Sequence, residues 1–557
     1  MSHPQLPLVL RKDDHLVVAV YDEDKSTLTE LIGESTNYYT GDYRECEVCF
    51  NPAEPSMFAH ATTTHLRCSY VSTSEEGGFS TKLLFEQEMP HVVIEMAFSP
   101  RGTYLVTYAM MDRKRTPGGN LSVFDVATGA CLLRSMQARW PAMVWTMEEE
   151  YLVRPMQGWL HVLEGNPSGE APAEFVNSKP AEASRGSPTS PNHGGGVFSC
   201  LSKTDLMLAQ DKEIAFSTCP TEGLSMLALF KPFYKQQQAT LSLYRLPNLH
   251  DGALYQVPFG RSESARILWS FGGHHIALLV QSECDSSGKS YYGTVTLHLI
   301  DVLKRSTTTI RLTGDGETVH DAQWSPTRID ELLVVHGRMP QNRATLYNKS
   351  GVKLLSLGEA PRNMAQWAPN AEGFVLGGSG NLAGDYVFYA YPAGSTAKAV
   401  SEAGARPSLS ASSPSLAPVC TGEFNEKCSF HSWAPDSHHF LCATLFTRLR
   451  MDNKVVLVKK NGARVVTVRY KELYGAHWVQ MRPASAHPRR APSPQGGESE
   501  QEAKPRVYCP PGGTSSRAAA LLRRPQNSAL GSGAAPAATV GPVGATLVEK
   551  KKKKKKH

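Results

Sequence analysis

The sequence has no apolar run long enough to cross a bilayer. Its hydrophobic residues, 41% of 557, are scattered, so no segment reads as a membrane span. It also lacks the opening of a secreted chain: Met1 to Arg11 (MSHPQLPLVLR) has neither a basic n-region nor an apolar h-region, which points to the cytoplasm. A disulfide framework is missing too. The 11 cysteines are odd in number and mostly stand alone in strand-like segments, the pattern of reduced, buried thiols. Cys46 and Cys49 form the one close pair, and on a strand positions i and i+3 point to opposite faces, so the pair reads as structural.

Catalytic signatures are equally scarce. There is no GxSxG elbow and no GxxxxGK[ST] loop. The stretch Gly377 to Gly384 (GGSGNLAG) has its third glycine one residue too late for a dinucleotide fingerprint, and no helix follows it to hold a phosphate. It reads as a tight turn between two strands. His274-His275 and His438-His439 follow tryptophans in turn positions with no carboxylate or cysteine cluster to complete a metal site. The expectation is a non-enzyme with no catalytic residue, metal or cofactor.

What the sequence has is a repeat. Phe98-Ser-Pro100, Trp269-Ser270, Trp324-Ser-Pro326, Trp367-Ala-Pro369 and Trp433-Ala-Pro-Asp436 each close an apolar stretch and lead through a turn into a run of Val, Leu, Tyr and Phe. Looser copies sit at Phe50, Trp145, Phe216 and Trp478. The nine anchors are 48, 47, 71, 53, 55, 43, 66 and 45 residues apart, near the roughly 40 to 50 residues of a four-stranded propeller blade. Two gaps are too long, and each contains a Pro/Ser/Ala/Gly-rich insertion, about 165–195 and 392–420, that cannot pack a core. Trp478 starts a blade the downstream sequence cannot finish. Leu6 to Leu10 and His15 to Tyr21 read as two strands that belong to no other blade, so both termini should pair in one blade and close the ring. The reading is an all-β, nine-bladed, WD40-like propeller over residues 1–482 with a disordered basic tail at 483–557.

Charge is unevenly placed. The net +6 divides into +10 on residues 483–557, from fourteen Lys/Arg against four Glu, and −4 on residues 1–482. Polyanion attraction must therefore come from local patches or from the tail. In the tail, Ser516 to Arg524 (SRAAALLRR) is a short run of helix formers ended by Pro525 and carries Arg523 and Arg524. The unbroken run Lys550, Lys551, Lys552, Lys553, Lys554, Lys555 and Lys556 attracts phosphate without reading sequence, or serves as a solubilising end. The insertions carry Ser187-Pro188, Ser190-Pro191 and Ser413-Pro414, either phosphorylation sites or passive spacers. Among the propeller loops, Arg338, Arg362, Arg448 and Arg450 suit bidentate phosphate contacts, or pair with carboxylates on adjacent blades.

Several stretches together resemble the eukaryotic translation initiation factor 2A family: Ser290 to Thr294 (SYYGT) with Leu297-His298; Gly337-Arg-Met-Pro340 followed by Ala344 to Asn348 (ATLYN); Pro361-Arg-Asn363 with Trp367 and Pro369; Gly380 to Gly384 (GNLAG); and Arg448 to Asn453 (RLRMDN). The likeness continues more weakly through Cys46-Glu-Val-Cys49 and Asn120 to Leu132. It implies a nine-bladed propeller that binds the small (40S) ribosomal subunit, rRNA and ribosomal proteins, and supports delivery of initiator methionyl-tRNA without GTP in non-standard initiation. Messenger RNA and other initiation factors are further partners it implies, with the protein monomeric and away from membranes. Tyr508-Cys-Pro-Pro511 matches a segment beyond the family's propeller, but the long Lys/Glu-rich helices that usually follow it have no counterpart before the lysine run. The alternative is a general propeller scaffold like subunit b of initiation factor 3, without direct RNA contact. That subunit carries an RNA-recognition domain ahead of its propeller, and a first strand near Leu6 leaves no room for one.

Overall fold

The computed structural model describes residues 5–481 apart from 14, 32–47, 74–77, 111–117, 168–196, 209–211, 283–293, 313–316, 328–329 and 393–416. The interiors of both insertions and the basic tail, with Arg523, Arg524 and Lys550–Lys556, lie outside the described residues, as do Cys46, Tyr508 and Ser290 to Gly293.

Thirty-six strands among the described residues form nine four-stranded antiparallel sheets. Eight are built from consecutive strands: blades 1 to 8 cover residues 49–88, 93–135, 144–205, 215–258, 262–310, 318–360, 364–425 and 430–469. The ninth joins both ends of the chain, with Leu473–Trp478 as its first strand and Leu6–Lys12, His15–Asp22 and Thr27–Glu30 as the other three. Leu8 pairs with Trp478 and Leu10 with Ala476 across the junction. The chain is thus the nine-bladed propeller closed by both termini that the anchors predict. The N-terminus supplies three strands, however, and not two. Thr27–Glu30 escapes the sequence because it is an outer strand of alternating exposed and half-buried residues with one apolar side chain.

Burial follows position in the blade. Second strands, covered on both faces by neighbouring blades, are the most deeply buried: every residue of Tyr104–Ala109 and His439–Thr444 is buried. Outer strands such as Lys353–Ala360 face solvent on one side and keep their polar residues there. The apolar residues gather into nine clusters among the described residues, each between two adjacent blades. Val9, Leu16 and Val18 of blade 9 meet Val48, Phe58 and Val71 at blade 1, so the last interface is packed like the others. The core is a ring of interfaces between adjacent blades.

Eight of the nine anchors end their blade's first strand, and Phe216 lies inside its own, Ala215–Thr218. The indole Nε1 of Trp324 donates to Leu268 O at 2.9 Å, that of Trp367 to Gln323 O at 3.2 Å, that of Trp433 to Gln366 O at 3.2 Å and that of Trp478 to Ser432 O at 3.4 Å. Each acceptor is the carbonyl just before the preceding blade's tryptophan, so the anchors stitch blades 5 to 9 in series. The eight described cysteines are all free. Cys68, Cys219, Cys428 and Cys442 are buried as expected, but Cys200 and Cys420 are exposed at the starts of outer strands, where the sheet edge meets water.

Candidate nucleic-acid interface

Strand direction alternates within each blade, so loops after first and third strands emerge on one rim of the ring. Loops after second strands and the links between blades emerge on the other. The first rim receives both long insertions, which follow the third strands of blades 3 and 7, and it also holds residues 5 and 481. It is rich in carboxylates: Glu148, Glu149, Glu150 and Glu222 occupy loops of blades 3 and 4, and Asp436, Glu23 and Asp24 those of blades 8 and 9.

All four described arginines singled out from the sequence belong to the second rim. Arg338 is exposed at the turn after the second strand of blade 6. Arg448 and Arg450 are exposed in the corresponding loop of blade 8. Arg362, in the link from blade 6 to blade 7, differs from them. Its guanidinium is buried and Nη1 donates to Leu357 O at 3.0 Å, so it braces its own loop and presents no charge to solvent. Exposed Lys235, Arg261, Arg311, Lys427 and Lys471 continue this rim around the ring. The exposed carboxylates in its described loops are Glu213 and Asp452. Asp452 is engaged by Lys454 Nζ at 2.7 Å and Arg469 Nη1 at 2.6 Å, and the Lys454 hydrogen bond holds its carboxyl below the usual range. The acidic sum over residues 1–482 therefore hides an uneven ring: carboxylates outnumber cations in the described loops of the first rim, which also exposes Lys25, Arg101, Lys304, Arg305, Lys349 and Lys460, whereas the exposed charges of the second are mostly cations.

The loops are held by buried asparagines. Asn342, fully buried, donates through Nδ2 to Arg362 O and so ties the Arg338 turn to the next link. Asn363 continues the chain: its Nδ2 donates to Ser379 O at 3.0 Å and its Oδ1 accepts from Ser379 N at 2.9 Å. The glycine-rich loop thus anchored is a turn. Gly384 has φ +89°, and a Cβ there would lie 2.4 Å from Glu426 O, so only glycine fits. In blade 8, Asn453 Nδ2 donates to Leu449 O at 2.7 Å and Oδ1 accepts from Leu473 N at 3.4 Å, propping the Arg448–Arg450 loop on the start of blade 9. Gly337 to Pro340, Pro361 to Asn363 and Gly380 to Gly384, scattered as motifs in sequence, are consecutive loops of one rim.

Sequence reasoning missed what surrounds Arg450. Its guanidinium lies over the Phe446 ring, 5.8 Å from the centroid, and Phe446 meets Tyr474 at 5.3 Å with the planes at 58°. Arg11 lies over Tyr474 at 5.4 Å and Lys12 over Tyr470 at 5.7 Å. Phe446 and Arg450 are neighbours in sequence and offered a signal. Tyr474 and Arg11 come from opposite ends of the chain and meet only through ring closure.

The paired histidines serve blade contacts. His275 Nδ1 is 3.2 Å from Asp330 Oδ2 of blade 6, and His439, with Nδ1 2.6 Å from Asp436 Oδ2 of its own blade, has Nε2 3.9 Å from Glu23 Oε1 of blade 9. Among the described residues no group of three His, Cys, Asp or Glu side chains could hold a metal, and no helix is long and apolar enough to cross a membrane.

Fold and rim define the class: an all-β, nine-bladed propeller that presents its polar chemistry on loops. The chain resembles eukaryotic translation initiation factor 2A. Residues 258–408 and 420–476, which make up blades 5 to 8 and most of the closing strand, match the family model described as "Eukaryotic translation initiation factor eIF2A". Proteins named eukaryotic translation initiation factor 2A are similar over most of the chain: that of Dictyostelium discoideum is 26% identical across 92% of this chain and 72% of its own length, and that of Schizosaccharomyces pombe 25% across 91% and 80%. The Drosophila melanogaster protein is 28% identical over 75% of this chain and 58% of its own. A solved structure described as a crystal structure of the eukaryotic initiation factor superposes with a TM-score of 0.61, at 19% identity, over 86% of this chain and all of that one, and agrees in fold.

Proposed function

We propose that this protein is a cytoplasmic, non-catalytic translation initiation factor that docks on the small ribosomal subunit through its cationic rim and supports delivery of initiator methionyl-tRNA. The observation that carries the reading is a coincidence of place: the loops resembling the initiation factor and the exposed arginines of blades 6 and 8 share one rim, within the residues the family model matches. A rigid ring with several cationic loops can engage rRNA and protein at separated points, so weak contacts add through effective concentration. No bond needs to be made or broken for such a role. The tail's lysine run would add affinity for phosphate without specificity.

The test is gradient sedimentation of crosslinked cell extract, comparing the wild-type chain with a triple variant, Arg338→Glu, Arg448→Glu and Arg450→Glu. The wild type should travel with 40S and 43S particles. The variant should shift to light fractions by more than tenfold at moderate salt, because each reversed charge replaces an attraction for phosphate with a repulsion. Wild-type protein absent from those fractions, or a variant that remains in them, would count decisively against the proposal.

A further inference from the structure

We infer that the junction of blades 8 and 9 on the cationic rim is a stacking platform for an unpaired RNA nucleotide, an inference that rests on that rim facing nucleic acid. The groups form a row with a cation at each end: Arg450 over Phe446, Phe446 against Tyr474, and Arg11 over Tyr474, with Lys12 over Tyr470 beside them. Phe446, Tyr470 and Tyr474 are half-buried and Arg450 is exposed, so the row reaches the surface. Arg11 is buried beneath the row and Lys12 is paired with Glu30, so they brace the rings from below, while exposed Arg450 is the cation beside the ring faces that a phosphate can meet. Every base has a π-face to stack, and Arg448 and Lys471 stand in the adjoining loops to meet the backbone.

The rings are held in place before any ligand arrives. Phe446 N donates to Leu473 O at 2.7 Å, Tyr470 N to Asn453 O at 2.9 Å and Asp13 N to Glu472 O at 3.0 Å, so three segments of backbone are locked together beneath them. Little ordering is left for binding to impose. Recognition of this kind tolerates sequence and requires an unpaired base, since a duplex offers only its groove edges and phosphates.

The experiment uses the full chain and a short fluorescein-labelled oligouridylate. Phe446→Leu and Tyr474→Leu should each weaken binding roughly 5- to 150-fold, the range of base stacking on an aromatic side chain. The slope of log K against log salt should stay unchanged. Arg448→Gln should instead flatten that slope by about 0.7 for each phosphate the side chain no longer neutralises. The same strand made abasic should bind both leucine variants and wild type alike. A 5-iodouridine strand should photocrosslink to wild-type peptides covering 446–454 or 470–478, which keeps the test open if Tyr474→Leu unfolds. Unchanged affinity in both leucine variants, or crosslinks confined to the tail, overturns the platform. Co-sedimentation with 40S particles without any such crosslink also overturns it and assigns this rim to a protein partner. Oligouridylate binding without ribosome sedimentation keeps the platform and removes the proposed function.

Discussion

His477 shows what burial does to a single side chain in this ring. It stands on the closing strand with its ring 5.1 Å from Phe430 and 6.1 Å from Phe50, and burial pushes its pKa down to about 4. An unfolded histidine titrates near 6.5, so between those values the unfolded chain binds the proton more readily. Stability should therefore be full at neutral pH and fall as pH drops from about 6.5 toward 4, by roughly 2 kcal/mol at pH 5 from this group alone. His60 and His298, held by burial at about 3 and about 4, act in the same direction. Urea denaturation at pH 7 and pH 5 should show the decline, and His477→Phe should make it shallower; an equally steep decline in the variant would assign it elsewhere. Residue types of this kind were legible in the sequence, their environments less so. Arg338, Arg448 and Arg450 are exposed cations as read. Arg362 has the same loop setting and is buried, because its path is decided by the Leu357 carbonyl on the neighbouring outer strand, which the local sequence does not reveal.

At the scale of the strand, the tryptophan anchors act as fasteners as well as core residues. Trp324, Trp367, Trp433 and Trp478 each donate an indole hydrogen bond backward across a blade interface. Trp269 begins the series without one. Its Nε1 is buried with no partner, and at the interface before it Thr218 donates its hydroxyl to Trp145 O at 2.6 Å. Replacing tryptophan by phenylalanine should consequently cost more at Trp367 than at Trp269. Both lose buried area, but only Trp367 leaves a part-buried carbonyl without its donor, an added penalty of about 1 kcal/mol. Equal midpoints for the two variants in chemical denaturation would sink the stitch as an energetic device. The period of these anchors made blade number and insertion sites legible, because each anchor ends or occupies a first strand. What the period could not show was Thr27–Glu30, whose outer position removes the apolar alternation that marks inner strands.

The whole ring combines an even fold with an uneven surface. Nine interfaces of similar make-up hold it, so no single core dominates, yet the loops carry charge unevenly: carboxylates outnumber cations in the described loops of the rim that bears the attachment points of the insertions, and exposed charges on the other rim are mostly arginines and lysines. Closure is what assembles the aromatic row at blades 8 and 9, since Arg11 and Lys12 reach Tyr474 and Tyr470 only through the pairing of Leu6–Lys12 with Leu473–Trp478. Deleting residues 1–30 removes three strands, leaves the last first strand without a ladder partner, and opens the apolar clusters on both sides of blade 9. Blade 8 and blade 1 would then expose covered faces, and exposed edges and apolar faces drive association. The deletion variant should elute as oligomers in size-exclusion chromatography with light scattering and lose its cooperative unfolding transition. A synthetic peptide of residues 1–31 added in trans should restore the monomer and the transition, because the missing strands fit a ready ladder and two prepared apolar faces. A deletion variant that stays monomeric and unfolds as the full chain does would show that the other eight blades hold the ring without its clasp.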